Sequence, residues 1–177
     1  MYKDTVSDKP NHWWGLATLP EEISYPYNGE ANPMTLVCQF AYGEGLVYIF
    51  ADLDYFFGDM EADGGHIGEW NSNLYQVLYT DHLSDLHEHE IRYADGSSAV
   101  PEPRDTTNYE SRILSKPTCW QDELTQDYPG YEVLVQLEED DDIGLRFYDC
   151  GTLFFLIKPA DLAARNFNNV KCVLYSY

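Results

Sequence analysis

Basic side chains are scarce in this chain: its 177 residues carry 10 Lys and Arg against 31 Asp and Glu, a formal charge of -21. That imbalance repels phosphate backbones and anionic bilayers, so nucleic acid and membrane surfaces are excluded as partners, while basic proteins and cations are attracted. Long apolar runs are missing as well. The longest covers residues 46–51, too short to cross a bilayer, and no apolar stretch follows the first residues to act as a signal peptide, so the cytoplasm is the expected address. Cysteine is limited to Cys38, Cys119, Cys150 and Cys172, with no C-x-x-C pair and no zinc-cage spacing, and a chain of this length needs no disulfide to fold. The local signatures of the common enzyme classes are absent too, with no G-x-S-x-G elbow, no phosphate-cradling glycine loop and no H-E-x-x-H pair. A non-catalytic role without cofactors is therefore the expectation.

What the chain does contain is apolar and aromatic: 44% hydrophobic positions, with 15 Tyr, 8 Phe and 4 Trp. Such a composition offsets ordering entropy and excludes an acidic disordered tail. A single domain spanning residues 1–177 is expected, burying roughly 70% of the surface its unfolded chain exposes. Two-residue alternation of branched and aromatic residues marks strands at 36–40, 46–50, 74–79, 87–93, 131–137, 145–148, 153–157 and 170–175. One helix is expected from Pro159 to about Phe167, where Pro and Asp161 open the first turn. The fold class is thus mainly β, with few short helices. Alternation groups Cys38 with Leu36 and Phe40, and Cys172 with Val170 and Leu174, so both thiols are expected to be buried.

An internal echo accompanies the strands. Leu36-Val37-Cys38-Gln39-Phe40 precedes Gly45-Leu46-Val47-Tyr48-Ile49-Phe50, and Leu134-Val135-Gln136-Leu137 precedes Gly151-Thr152-Leu153-Phe154-Phe155-Leu156-Ile157. Each half has an apolar strand ending in Gln plus an apolar residue, then a Gly, then a more apolar strand. The order predicts a duplicated antiparallel β unit, with copies at roughly residues 30–60 and 130–160 sharing one core.

The block from Leu134 through the acidic run to Ile157, followed by Asp161-Leu162-Ala163-Ala164-Arg165, resembles the C-terminal signature of the YwqG-like family of bacterial proteins. Trp13-Trp14-Gly15, Leu19-Pro20, Tyr25-Pro26, Asn32-Pro33-Met34-Thr35-Leu36 and Gln39-Phe40 are similar to that family's opening motif. The resemblance weakens between about Asp52 and Thr125. It implies a mainly β, roll-like fold with pseudo-twofold internal symmetry and a domain of unknown function, with no catalytic residues to carry over. Many relatives place Trp-Gly-Asp where this chain has Phe147-Tyr148-Asp149, so of that motif only Asp149 is transferred.

Several residues invite a functional reading. Gln39 and Gln136 are polar exceptions in apolar strands; each either bonds a neighbouring loop or lines a small-ligand cleft together with Tyr148 and Asp149. Trp13 and Trp14 either close a core edge or anchor a partner or sugar. Glu138, Glu139, Asp140, Asp141 and Asp142 form a solvated loop or an acidic face for a basic protein, with a divalent cation as a further alternative. His87 and His89 share a strand face and are packing residues or two ligands of a transition metal. Asp59-Met60-Glu61-Ala62-Asp63-Gly64 imitates the start of a calcium loop, but Trp70 stands where the closing Glu belongs. The leading expectation is a non-catalytic module that binds a basic protein in the manner of an immunity inhibitor. The alternatives are a small-ligand or carbohydrate binder and a metal-assisted hydrolase using Asp149.

Overall fold

Strand-forming alternation and turn chemistry divide the chain into short antiparallel pieces. The computed structural model describes residues 11–58, 65–93, 100–106 and 111–177. Within them the strands are β1 (His12–Trp13), β2 (Thr18–Leu19), β3 (Thr35–Tyr42), β4 (Gly45–Ala51), β5 (Gly68–Glu69), β6 (Tyr75–Thr80), β7 (His87–Glu88), β8 (Arg104–Asp105), β9 (Arg112–Ile113), β10 (Glu132–Glu138), β11 (Thr152–Ile157) and β12 (Lys171–Tyr175). The α-helices are α1 (Gln121–Asp127) and α2 (Pro159–Ala163). All strand pairs are antiparallel, and the protein is mainly β.

The chain divides into two compact units. The first takes the residues up to Asp52 and Tyr75–Thr107, the second Leu53–Leu74 and Asn108–Tyr177. The first unit holds a sheet of order β6-β4-β3-β1-β8 and the ribbon β2-β7, and the second a sheet of order β5-β12-β11-β10-β9.

Both sheets carry a bulge two residues before a buried glutamine. In β3 the register shifts between Leu36 and Cys38, so that Leu36 opposes Phe50, Cys38 opposes Ile49 and Gln39 opposes Tyr48. In β10 it shifts between Val133 and Val135, so that Val133 opposes Leu156, Val135 opposes Phe155 and Gln136 opposes Phe154. The extra residue donates no ladder position but is not idle. The carbonyl of Val37 accepts the N–H of Trp14 at 3.1 Å, and that of Leu134 accepts the N–H of Leu114 at 2.8 Å. Trp14 and Leu114 both have a positive φ, 59° and 48°.

The bulge corrects one expectation. Simple alternation groups Leu36, Cys38 and Phe40, but an inserted residue exchanges the faces of everything before and after it. Leu36 therefore shares a face with Gln39, Tyr48 and Phe50, while Cys38 stays with Phe40 and Ile49 on the other. Both Cys38 and Cys172 are fully buried, as expected, and the four cysteines are free.

Each unit has its own cluster on the Gln-bearing face. In the first, Leu36, Leu46, Tyr48 and Phe50 are covered by Tyr25, Met34 and Ile91. The Tyr25 ring meets Phe50 edge-on at 5.1 Å, and its hydroxyl donates to the Met34 carbonyl at 2.9 Å. In the second, Val133, Phe154, Leu156 and Val173 are covered by Leu124 of α1, with Trp120, Tyr128, Tyr131 and Tyr175 packed around them.

Three local expectations change. The strand expected over 87–93 is only His87–Glu88. One further bond, from the His89 N–H to the Ala17 carbonyl at 3.2 Å, continues the pairing with β2, and beyond it that partner leads back into the left-handed pair Trp14 and Gly15, where an extended ladder ends. The expected helix from Pro159 stops at Ala163 because Arg165 turns left-handed, at φ 56°. Residues 145–148 form no strand. Leu145 bridges Asp140, and the chain then turns through Tyr148 at φ 63°. Helix α1 escaped the periodicity because Leu124 is its one buried residue. It starts with Asp122 and Glu123 in the first turn, where the exposed N–H groups favour negative charge.

Candidate functional site

A primary amide enclosed in a sheet must find partners for two donors and an acceptor, and the sequence supplies a threonine to each glutamine. Gln39, 2% exposed, accepts the Thr18 N–H at 3.1 Å and donates to Thr18 Oγ1 at 2.9 Å. Gln136, fully buried, accepts the Thr118 N–H at 3.1 Å and donates to Thr118 Oγ1. The two bridges match atom for atom. Both amides are thereby committed to hydrogen bonds within the fold, Gln39 tying β3 to the start of β2 and Gln136 tying β10 to the loop at Thr118.

Beyond the bridge the units diverge. The Gln136 amide also donates to Glu138 Oε1, and Glu138 Oε2 accepts the Thr152 hydroxyl at 2.9 Å. Cys119 Sγ lies 3.5 Å from Thr152 Oγ1 and 3.9 Å from Glu138 Oε1. The corresponding positions of the first unit are Ala41 for Glu138, Leu46 for Thr152 and Leu19 for Cys119. A polar network thus replaces an apolar patch on the same scaffold. Burial, reinforced by the charge on Glu138, pushes the Cys119 thiol upward, so it stays protonated and is a poor nucleophile at neutral pH.

The acidic run is not one outward face. Glu138 points into this network. Glu139 accepts the backbone N–H groups of Phe147 at 2.8 Å and Gly151 at 3.3 Å and pairs with Arg146, which organises the turn from 139 to 151. Asp140 is buried and caps the short turn at Asp141–Ile143 by accepting the Asp142 N–H at 3.0 Å. Asp141 and Asp142 are exposed, and Asp141 pairs with Arg146. Three of the five carboxylates are structural, because buried N–H and O–H donors compete successfully with water for them.

Trp13 and Trp14 have no exposed surface, so neither indole offers a face to a ligand. Tyr148 is 49% exposed and packs against Tyr55 and Phe56 at 6.1 and 5.7 Å. Asp149 is exposed; its carbonyl accepts Ser176 Oγ at 3.0 Å and the Tyr177 N–H at 3.3 Å. The calcium-like segment 59–64 lies outside the described residues. Among the described residues no group of three or more His, Cys, Asp or Glu side chains is placed to hold a metal ion.

His87 and His89 stack with ring centroids 4.6 Å apart and planes 27° from parallel. A metal bound by both must lie in both ring planes, and two stacked, nearly parallel planes do not meet at coordination distance. The pair is a packing element. Burial, and the neighbouring His87, lower the pKa of His89 below the usual imidazole value. The unfolded chain therefore takes up a proton that the folded protein resists, so His89 contributes its full stability above about pH 6.5 and loses it as the pH falls below that value. Melting temperatures recorded from about pH 7.5 down to about pH 5.5 should fall more steeply for the natural protein than for His89→Gln, and parallel curves would contradict the assignment.

A cavity of about 570 Å³ opens in the second unit beside α1 and the start of β10, over Leu124, Val133, Leu156 and Leu162. Tyr128 and Tyr131 wall it, and Ser115, Lys116 and Glu132 bring polar atoms to it. Burial, followed by the nearby Glu69, raises the Tyr128 hydroxyl to about 12, so that ring stays neutral. No sequence signal marks these residues as one cavity, since it is made by strand and helix ends that meet only on folding.

Among the described residues no helix is long and apolar enough to cross a membrane. No curated protein matches the chain. Residues 54–175 match a family described as a domain of unknown function, DUF1963, and since that match takes in well over half of the sequence the chain belongs to this family.

Proposed function

We propose that the protein is a cytoplasmic, non-catalytic binding module of the YwqG-like kind that captures a basic protein, in the manner of an immunity inhibitor, and that it does so through the β2-β7 ribbon of the first unit. The observation that carries the reading is a charge asymmetry. From residue 10 to residue 91 there is no Lys or Arg. Glu21, Glu22, Asp81, Asp85, Glu88 and Glu90 are all exposed on or beside that ribbon. The pairing of Thr18 with Glu88 and of Leu19 with His87, and the 3.1 Å contact between Glu22 and His82, hold the two segments side by side. A surface of one sign raises the encounter rate with a cationic partner and makes that rate fall steeply with salt. Matched bulges and matched Gln–Thr bridges also support a duplicated β unit.

The test compares two charge reversals. Glu21→Lys, Glu22→Lys, Asp85→Lys and Glu88→Lys combined should slow association with the protein captured from the native cell at low salt by about tenfold or more. Asp141→Lys with Asp142→Lys should slow it far less. Equal association rates for the ribbon variant and the natural protein, with the fold intact by circular dichroism, would end the reading.

A further inference from the structure

Asparagine is followed by glycine once in the chain, at Asn28-Gly29, and every other asparagine precedes a residue with a side chain. An asparagine deamidates when the backbone nitrogen of the next residue reaches its amide carbon, and a glycine, with no side chain to obstruct that approach, permits it most readily. Gly29 is exposed, and a methyl group added there would meet nothing within 4 Å. Among the described residues its N–H joins no hydrogen bond. The nucleophile is thus free, and water has open access to it.

The fold pins the amide at three points. Asn28 Oδ1 accepts the N–H groups of Glu30 at 3.0 Å and Asn32 at 2.9 Å, and its Nδ2 donates to Asp52 Oδ2 at 3.0 Å. The backbone of Asn28 closes the same turn, its N–H donating to the Asn32 carbonyl at 2.8 Å and its carbonyl accepting the Ala31 N–H at 3.1 Å. At the feet of the turn Tyr27 bridges Pro33, and the Met34 N–H donates to the Pro26 carbonyl at 3.0 Å. Tyr25 and Met34, which cover Phe50, therefore stand on a loop whose shape one amide maintains. Asp52 is only 5% exposed. A carboxylate in place of the amide would bring a second negative charge against that buried one, which a poorly solvated site disfavours.

We propose that Asn28 is a site of spontaneous deamidation, held closed by its bonds to Asp52, Glu30 and Asn32, and that its conversion loosens the turn supporting Tyr25 and Met34. The Gly29 nitrogen bonds to Asn28 Cγ as the Cγ–Nδ2 bond breaks, and the Gly29 proton leaves with the amide nitrogen as ammonia. One water then opens the resulting succinimide to aspartate or isoaspartate. The aspartate product repels Asp52. The isoaspartate product routes the backbone through the former side chain and lengthens it by one carbon, which displaces the bonds to Ala31 and Asn32. Either change is one-way, so an opening of this turn is recorded permanently in the covalent structure. The proposal does not depend on what the acidic ribbon binds.

Peptide mass mapping of the full chain during incubation at mildly alkaline pH tests it, because exchange of an amide for a carboxylate changes the mass of the peptide that carries Asn28. In guanidinium chloride that peptide should convert before any other asparagine peptide. In the folded protein it should convert at least about tenfold more slowly, since the bonds to Glu30, Asn32 and Asp52 must open first. Gly29→Ala has room for its methyl group and should leave the fold intact while slowing conversion of the denatured chain by about tenfold. Asn28→Asp, which reproduces the aspartate product, should melt several degrees below the natural protein. Adding Asp52→Asn restores one amide facing one carboxylate and should recover most of that loss. Conversion in denaturant led by another asparagine, equal rates in the folded and denatured chain, or a double variant no more stable than Asn28→Asp would overturn the proposal.

Discussion

Gln136→Leu is expected to destabilise the protein by about 3–5 kcal/mol, against about 1–3 kcal/mol for Gln39→Leu, although the two residues make the same bridge to a threonine. Loss of Gln39 leaves the Thr18 N–H and hydroxyl without their amide. Loss of Gln136 leaves the same two groups of Thr118 and in addition takes a donor from the Glu138 carboxylate. A half-buried charge short of a donor costs more than a neutral group in the same place. Adding Glu138→Ala to Gln136→Leu should recover part of the loss, since Ala41 stands at the equivalent place in the first unit. Urea midpoints of the two single variants and the double variant measure this, and equal losses for Gln39→Leu and Gln136→Leu would contradict the role given to Glu138.

Phe154→Ala is expected to cost about 3–5 kcal/mol, and Phe154→Leu no more than about 1.5 kcal/mol, because the first removes a whole ring and the second nearly conserves volume. Phe154 is fully buried, opposes Gln136 across the β10–β11 pair and meets Tyr175 edge-on at 6.2 Å. Its neighbours Leu156 and Val173 are paired to strands on both sides and Val133 on one, so they cannot collapse freely into the space. The same loss should be read in the urea midpoint and in the melting temperature. A cost for Phe154→Ala below that for Phe154→Leu would mean that the cluster repacks freely.

Much of this was legible in the residues themselves. Alternation found the long strands β3, β4, β6, β10, β11 and β12, because a strand half or wholly buried prints its burial directly on every second side chain or on an unbroken apolar run. The two glutamines stood out for the same reason, as amides where the pattern called for aliphatic side chains. Cys38 and Cys172 were recognisable as core thiols from their apolar neighbours. Helix α1 was hidden, since a seven-residue helix that buries one leucine has no period to detect. The short ribbon at His87–Glu88 read as longer than it is, because alternation says nothing about where a partner strand ends.

The sequence by itself determined the class of fold, the charge and the positions at which polarity is out of place. Tertiary structure alone decided which face each strand residue takes, because a bulge inserts one residue against a partner strand and so reverses sides without changing the local pattern. It also decided that Glu138, Glu139 and Asp140 turn inward while Asp141 and Asp142 face water, since five consecutive carboxylates look alike until N–H and O–H donors from Phe147, Gly151 and Thr152 arrive from elsewhere in the chain. The cavity beside α1 belongs to the same category. It exists because strand and helix ends meet there only on folding, and an unfilled volume is a property of packed surfaces rather than of any residue.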